Sequence, residues 1–433
     1  MPGTLPDIAP QAVALRVQAV RDALAAAEAL PPAALPPASL AALTNFIAER
    51  RKELAGAVFP EELVPLSGAE GGYAVWATTA LAHGEVVPET VAAHEAWLQA
   101  LAFVPVWVDT ALANLTEAEA RGITFSPGVW RAMASRVAAA ISRDLRPPEG
   151  AWGAVAESER RRLSERYTAV AETRVRPALE RLHTRLLLAA SRSAAGLTWH
   201  DLPLGERWYA WRLQQATDAT RSAAEWQALA QSELARIEAI LAGQPAPAGT
   251  RERLAPLALP AWRRLVPHLA HEDGYACYRW LSAESSSPVQ ESIAAVPAGL
   301  DQARQLLAVM VVDTGQNALG WNRAQAIDYL RTHTRWSAAE AAWQADLAVA
   351  SAGWASAPGA GCLQLWQLRQ EVAARLGTAF DAAAFDHQLG AWGPLPLDEL
   401  RRRMLEWAAT EGVATAGDAT SPATAGAGSS GRN

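Results

Sequence analysis

The sequence predicts an all-α protein, one large helical domain, on three observations. Ala, Leu, Arg and Glu dominate and recur at helical spacing. Strand-like alternation of apolar and polar residues is nearly absent. Pro pairs and Gly residues punctuate the chain at intervals that suit helices rather than hairpins. Half of the 433 residues are apolar and 19% are charged, a balance that folds.

Taken in order, residues 11–30 read as one helix, with Val13, Leu15, Val17, Val20 and Leu24 on a broad apolar face. Pro31-Pro32 and Pro36-Pro37 stop it, and Ser39 is placed to cap a helix running to about residue 54. Residues 59–72 read as irregular. A Pro at a helix start suits Pro88, opening a helix toward residue 102, and Pro105, opening another that ends at Gly122. Ser126-Pro127 opens the next, to residue 141. Residues 158–188 form a long charged helix, and Ser222 caps residues 223–241. Residues 260–281 and those from Leu300 onward are helical, followed by 337–349, 363–376 and 397–409. Gly243-Gln-Pro-Ala-Pro-Ala-Gly249 is the clearest linker. It divides an N-terminal and central lobe, residues 1–243, from a C-terminal lobe, residues 250–411. The Gly-, Ala- and Ser-rich residues 412–433 read as a disordered tail.

A net charge of −7 argues against nucleic acid or an anionic membrane as the main partner. No stretch approaches a charge-free transmembrane length. The first residues lack the basic and apolar regions of a signal peptide, so a cytoplasmic location is expected. Two cysteines, Cys277 and Cys362, make neither a disulfide framework nor a Cys-rich zinc module, and are consistent with a reducing compartment. The eighteen tryptophans are expected to pack between Ala-rich helices, with a Trp-lined cleft as the alternative.

The most informative stretch is Val311-Val-Asp-Thr-Gly-Gln-Asn-Ala-Leu-Gly-Trp321. It reads as the end of a buried helix, a turn at Gly320-Trp321, and a second helix capped by Asn322. Asp313 ends an apolar run, where a carboxylate must find hydrogen-bond donors or stay wet. A structural tie between helices is therefore the expected role, ahead of a binding role shared with Trp321.

Several stretches, in order, resemble a bacterial family known as domain of unknown function 885, helical proteins similar to zinc metallopeptidases. They include Phe59-Pro-Glu-Glu-Leu-Val-Pro65, Phe103-Val-Pro-Val-Trp-Val-Asp109, Leu202-Pro-Leu-Gly-Glu-Arg-Trp-Tyr209, Val311-Val-Asp-Thr-Gly315, Gly320-Trp321 and Leu395-Pro-Leu397. The resemblance covers nearly the whole chain to about residue 408 and implies two helical lobes flanking a cleft. It also implies zinc chemistry on a helix bearing His-Glu-x-x-Pro-Gly-His-His, whose spacing puts two imidazoles on one face beside a Glu. This chain has no such motif. His271-Glu-Asp-Gly-Tyr-Ala-Cys-Tyr278 matches the family's downstream third-ligand segment, with Asp273 in the ligand position. The metal helix is then missing around residues 243–249. Asn317 and Gln227 stand where His is usual, and Pro358 near an expected Tyr.

The best independent metal constellation is His268, His271, Glu272 and Asp273, with the first three at i, i+3 and i+4 on one helical face. The order His-x-x-His-Glu is not that of a zincin. The expectation is therefore a non-catalytic, truncated relative of a zinc peptidase that holds no cofactor. It would bind an intact paralogue, a peptide or a small molecule, along an aromatic groove near Trp262, Leu265, Leu269, Tyr275 and Trp280. The alternative is a working zinc hydrolase rebuilt around His268–Asp273.

Overall fold

The structure, a computed structural model, describes residues 7–31, 37–67, 72–79, 88–242, 270–271, 274–275, 277–279, 295–392 and 395–418. Among the described residues every regular element is helical and none is a strand, as the composition predicts. The chain splits into two compact units. The first comprises residues 1–215, 221–228 and 308–356, the second 216–220, 229–307 and 357–433. The expected boundary at 243–250 lies outside the described residues.

In the first unit, the helix Val91–Ala120 corrects the expectation of two helices parted by Pro105. Pro105 sits inside one 30-residue helix. A proline there removes one backbone hydrogen bond and crowds the preceding turn. The buried Trp97, Leu101, Val104, Val108 and Ala111 on both sides of it hold the helix together. It is long and apolar enough to cross a membrane by length and composition, although Glu95 and Asp109 leave it short of a charge-free span, and it carries much of this unit's core. Pro127–Ile141 packs along Arg176–Arg192, with Val137, Ala178, Leu182 and Leu186 fully buried between helices. The predicted helix 158–188 is interrupted: Glu157–Val170 gives way to a π turn, Ala171–Val175, before Arg176–Arg192. Pro177, which has no amide hydrogen to donate, stands two residues past that turn, at the second position of the next helix. Asn322 caps Arg323–His333 in a capping box with Gln325, and Ser337 caps Ala338–Ala350 with Glu340. Both starts are where the sequence places them.

In the second unit, Ala357–Leu376 packs against Leu397–Asp418, and Ala382–Trp392 lies beside the latter. The last helix runs past the expected end at residue 409 to Asp418, and residues 419–433 lie outside the described residues. Ala270, His271 and the described positions to Arg279 are helical and cross Ala357–Leu376 at very short range. A Cβ on Gly361 would sit 1.5 Å from the Ala270 carbonyl oxygen, and one on Gly274 2.5 Å from the Gly361 backbone. Two glycines at the crossing let the backbones touch. Beside them, Cys277 and Cys362 form a disulfide. This corrects the expectation that the two cysteines make no disulfide framework. A separation of 85 residues gave no sequence signal that the pair would meet.

Candidate functional site

The stretches that carry most sequence character converge in the first unit on one buried polar network around Asp313. The aspartate sits on Ala295–Ala318, at the part of that helix where Val311, Val312 and Met310 are fully buried. Its carboxylate has no solvent exposure. Ser356 Oγ donates to Oδ2 at 2.5 Å, the Gly353 amide donates to both oxygens at 3.1 and 3.2 Å, and Asn317 Nδ2 donates to Oδ1 at 2.8 Å. Burial pushes the Asp313 carboxyl up to about 6, and the donors oppose that rise by favouring the ionised form. The Tyr209 phenol faces the same carboxylate and Ser356. Burial, then the neighbouring negative charge, raises its pKa well above the usual phenol value. Its hydroxyl nonetheless completes no well-aligned hydrogen bond among the described residues.

Gly353 makes this arrangement possible twice over. Its φ of +79° lies in the left-handed region, and a Cβ there would strike the Leu213 amide nitrogen at 2.8 Å. The glycine therefore lets the turn after Ala338–Ala350 press its amide onto Asp313 while lying against Gly205–Thr217.

A second buried group adjoins along Gly205–Thr217. Arg212, 1% exposed, donates Nε to the Ala352 carbonyl at 3.1 Å and grips Glu61 with Nη1 at 2.8 and 2.9 Å. It also donates to the Ser67 carbonyl and stacks over Trp199, 4.4 Å from the ring centre. Trp208 Nε1 donates to the same Glu61 at 2.5 Å. A buried guanidinium is tolerable only when its donors are used, and here carboxylate, carbonyls and an aromatic face share it. Sequence reasoning singled out Asp313 and missed Ser356, Gly353, Arg212 and Glu61. Arg212 and Ser356 lie outside the informative stretches and carry no motif of their own. Glu61 and Tyr209 lie inside stretches that had been noted only for resemblance.

Of the other expected site residues, Trp321 is half-buried, its indole lying on Gly315 and 5.3 Å from the Tyr329 ring. It acts there as packing. Gln227 donates to the Val311 carbonyl at 3.2 Å. Tyr275 is half-buried, and burial raises its pKa. His268, Glu272, Asp273, Trp262, Leu265, Leu269 and Trp280 lie outside the described residues. His271 is buried, and its Nδ1 accepts the Leu395 amide at 3.4 Å. With Nδ1 accepting, a neutral imidazole carries its proton on Nε2, leaving no free lone pair for a metal. Among the described residues no three His, Cys, Asp or Glu side chains cluster as a ligand set. At Asp313 the neighbouring position is the Asn317 amide, a poor zinc donor beside imidazole or thiolate. The described residues therefore do not fit a zinc centre.

No curated protein matches the chain. Among solved structures, one described as "the putative lipoprotein from Colwellia psychrerythraea" is similar in fold, with a TM-score of 0.58 and 17% identity. That likeness covers 74% of this chain and 77% of the other. Another, described as a "putative lipoprotein of unknown function from Shewanella oneidensis", aligns over 93% of both chains at 13% identity with a TM-score of 0.49. A family model described as "Bacterial protein of unknown function (DUF885)" matches residues 2–255 and 255–404, and this chain belongs to that bacterial family.

Proposed function

We propose that this chain is a non-catalytic member of its family that works as a binding or partner protein. The observation that carries the reading is the Asp313 centre. Its one carboxylate is sealed from solvent and already takes donors from Ser356, Gly353 and Asn317, so it ties the fold and has no free edge to offer a substrate. The sequence adds that the His-Glu-x-x-Pro-Gly-His-His helix is missing. The family match breaks in two at residue 255, close to the linker where that helix would be lost. A catalytic zinc needs three protein ligands with an open position.

The partner is a peptide, a small molecule or an intact paralogue, and the net charge of −7 disfavours nucleic acid. The Cys277–Cys362 disulfide favours an oxidising compartment over the cytoplasm, and the lipoprotein description of the Colwellia structure points the same way. The alternative, a hydrolase rebuilt around His268, His271, Glu272 and Asp273, would need His271 to release Leu395.

The test is to incubate the full chain with zinc and a mixed peptide pool and to follow cleavage by mass spectrometry. No cleavage above buffer is expected. Zinc-dependent cleavage that vanishes in His271→Ala would replace this reading with the hydrolase.

A further inference from the structure

The first unit carries a pocket of about 460 Å³ whose lining does not include Asp313. Ser126, Gly128 and Arg131 form one wall, and Arg323, Trp343 and Asp346 the other. That volume suits a small molecule.

Ser126 is 6% exposed and stands at the N-cap of Pro127–Ile141, yet its hydroxyl does not cap that helix. Its amide donates to the Leu197 carbonyl and its carbonyl accepts the Trp130 amide. The Oγ has no partner among the described residues. Ser126 is largely buried, and an unused hydroxyl on a residue of the pocket wall is positioned for a ligand. Arg131 lies one turn into the same helix, exposed, with no acidic partner among the described residues. The other charges in the pocket cancel. Arg323 grips Asp346 with Nε and Nη2 at 2.7 and 2.8 Å. Gly128 lets that carboxylate lie against the helix's first turn, because a Cβ there would meet it at 2.4 Å. One positive charge, Arg131, is left over. Opposite it Trp343 is 37% exposed, on a helix face shared with Ala339 and Ala342.

We propose that this pocket binds a small organic monoanion. Its carboxylate sits on Arg131 and the Ser126 hydroxyl, and its apolar body lies on Trp343. The guanidinium fork matches a carboxylate in two hydrogen bonds, and the indole supplies a flat apolar surface. The site is argued from residues that the non-catalytic reading does not use, and stands whether or not the chain cleaves peptides.

The experiment is calorimetric titration of the full chain with phenylacetate, its neutral analogue phenylacetamide, and inorganic phosphate. One saturable site for phenylacetate is expected, with a Kd on the order of 1 mM for so small a ligand. Phenylacetamide should bind at least about tenfold more weakly, and Arg131→Gln and Ser126→Ala should each weaken phenylacetate about five- to tenfold. Arg181→Gln, at an exposed arginine paired with Asp109, should change nothing. Thermal melts of each variant establish that it is folded, and Arg131, being exposed, tolerates the change. Equal binding of phenylacetamide, unchanged affinity in Arg131→Gln, or no saturable site would overturn the proposal. Displacement by phosphate combined with unchanged affinity in Trp343→Ala would reduce the site to one for inorganic anions and overturn the organic-acid assignment.

Discussion

At Asp313, burial and hydrogen bonding pull in opposite directions, and burial wins by enough to leave the carboxyl near 6. Truncation to Ala would strand the Ser356 hydroxyl, the Gly353 amide and the Asn317 amide in a dry core. Asp313→Ala should therefore cost about 1–3 kcal/mol in urea unfolding at neutral pH. Unchanged stability together with loss of a ligand-binding signal would return Asp313 to a binding role. The pH dependence follows from the same shift. The folded pKa is raised from 3.8 to about 6, so the folded state holds this proton more tightly than the unfolded chain. The stability it contributes is complete below about 3.8 and is lost as pH rises through about 6, roughly 3 kcal/mol in all. Asp313→Asn removes that titration, and Asn317 Oδ1, which lacks a partner, can turn to accept the new amide. Unfolding free energies from pH 4 to 7.5 should fall less steeply in Asp313→Asn than in the parent. Parallel profiles would mean that the carboxyl titrates elsewhere. The need of Asp313 for buried donors was legible in the apolar run before it. The identity of those donors was not, because Gly353 and Ser356 lie 40 and 43 residues away and are ordinary turn residues in sequence.

Helix starts were legible wherever side chains act locally. Asn322 with Gln325 and Ser337 with Glu340 each solve their own backbone's unpaired donors within four residues, so no tertiary knowledge is needed. Pro105 misled for the converse reason. Its local cost is real, but buried Trp97, Leu101, Val104 and Val108 outweigh it and carry the helix through. The crossing at Gly361 gives a sharp expectation at this scale. Gly→Ala inside a helix ordinarily stabilises by about 0.5–1 kcal/mol. Here the added methyl would lie 1.5 Å from the Ala270 carbonyl, so Gly361→Ala should destabilise instead, measured by thermal or urea unfolding. A stabilised variant would mean that the two segments do not cross as described. The disulfide beside that crossing closes a loop of 85 residues and should contribute about 2–4 kcal/mol. Cys277→Ser with Cys362→Ser should lower the unfolding midpoint, and a reductant should do the same to the parent but not to the double variant. Identical melts in all cases would show that the cysteines stay reduced.

For the whole molecule, all-α architecture was legible because 3.6-residue periodicity is a property of each segment alone. Convergence of distant segments was not. Glu61, Tyr209, Arg212 and Asp313 are spread over more than 250 residues and meet only through tertiary packing. Of the candidate metal set, only His271 falls among the described residues, and it is turned to the Leu395 amide. Among the described residues, the buried polar groups around Asp313 and Arg212 are joined to one another and to backbone. The most direct measurement is elemental analysis of protein purified without chelator, paired with the thermal shift on adding zinc. Well under one zinc per chain and no stabilisation are expected, equally in the parent and in His271→Ala. Close to one zinc per chain, lost together with a zinc-dependent rise in melting temperature in His271→Ala, would contradict the non-catalytic reading.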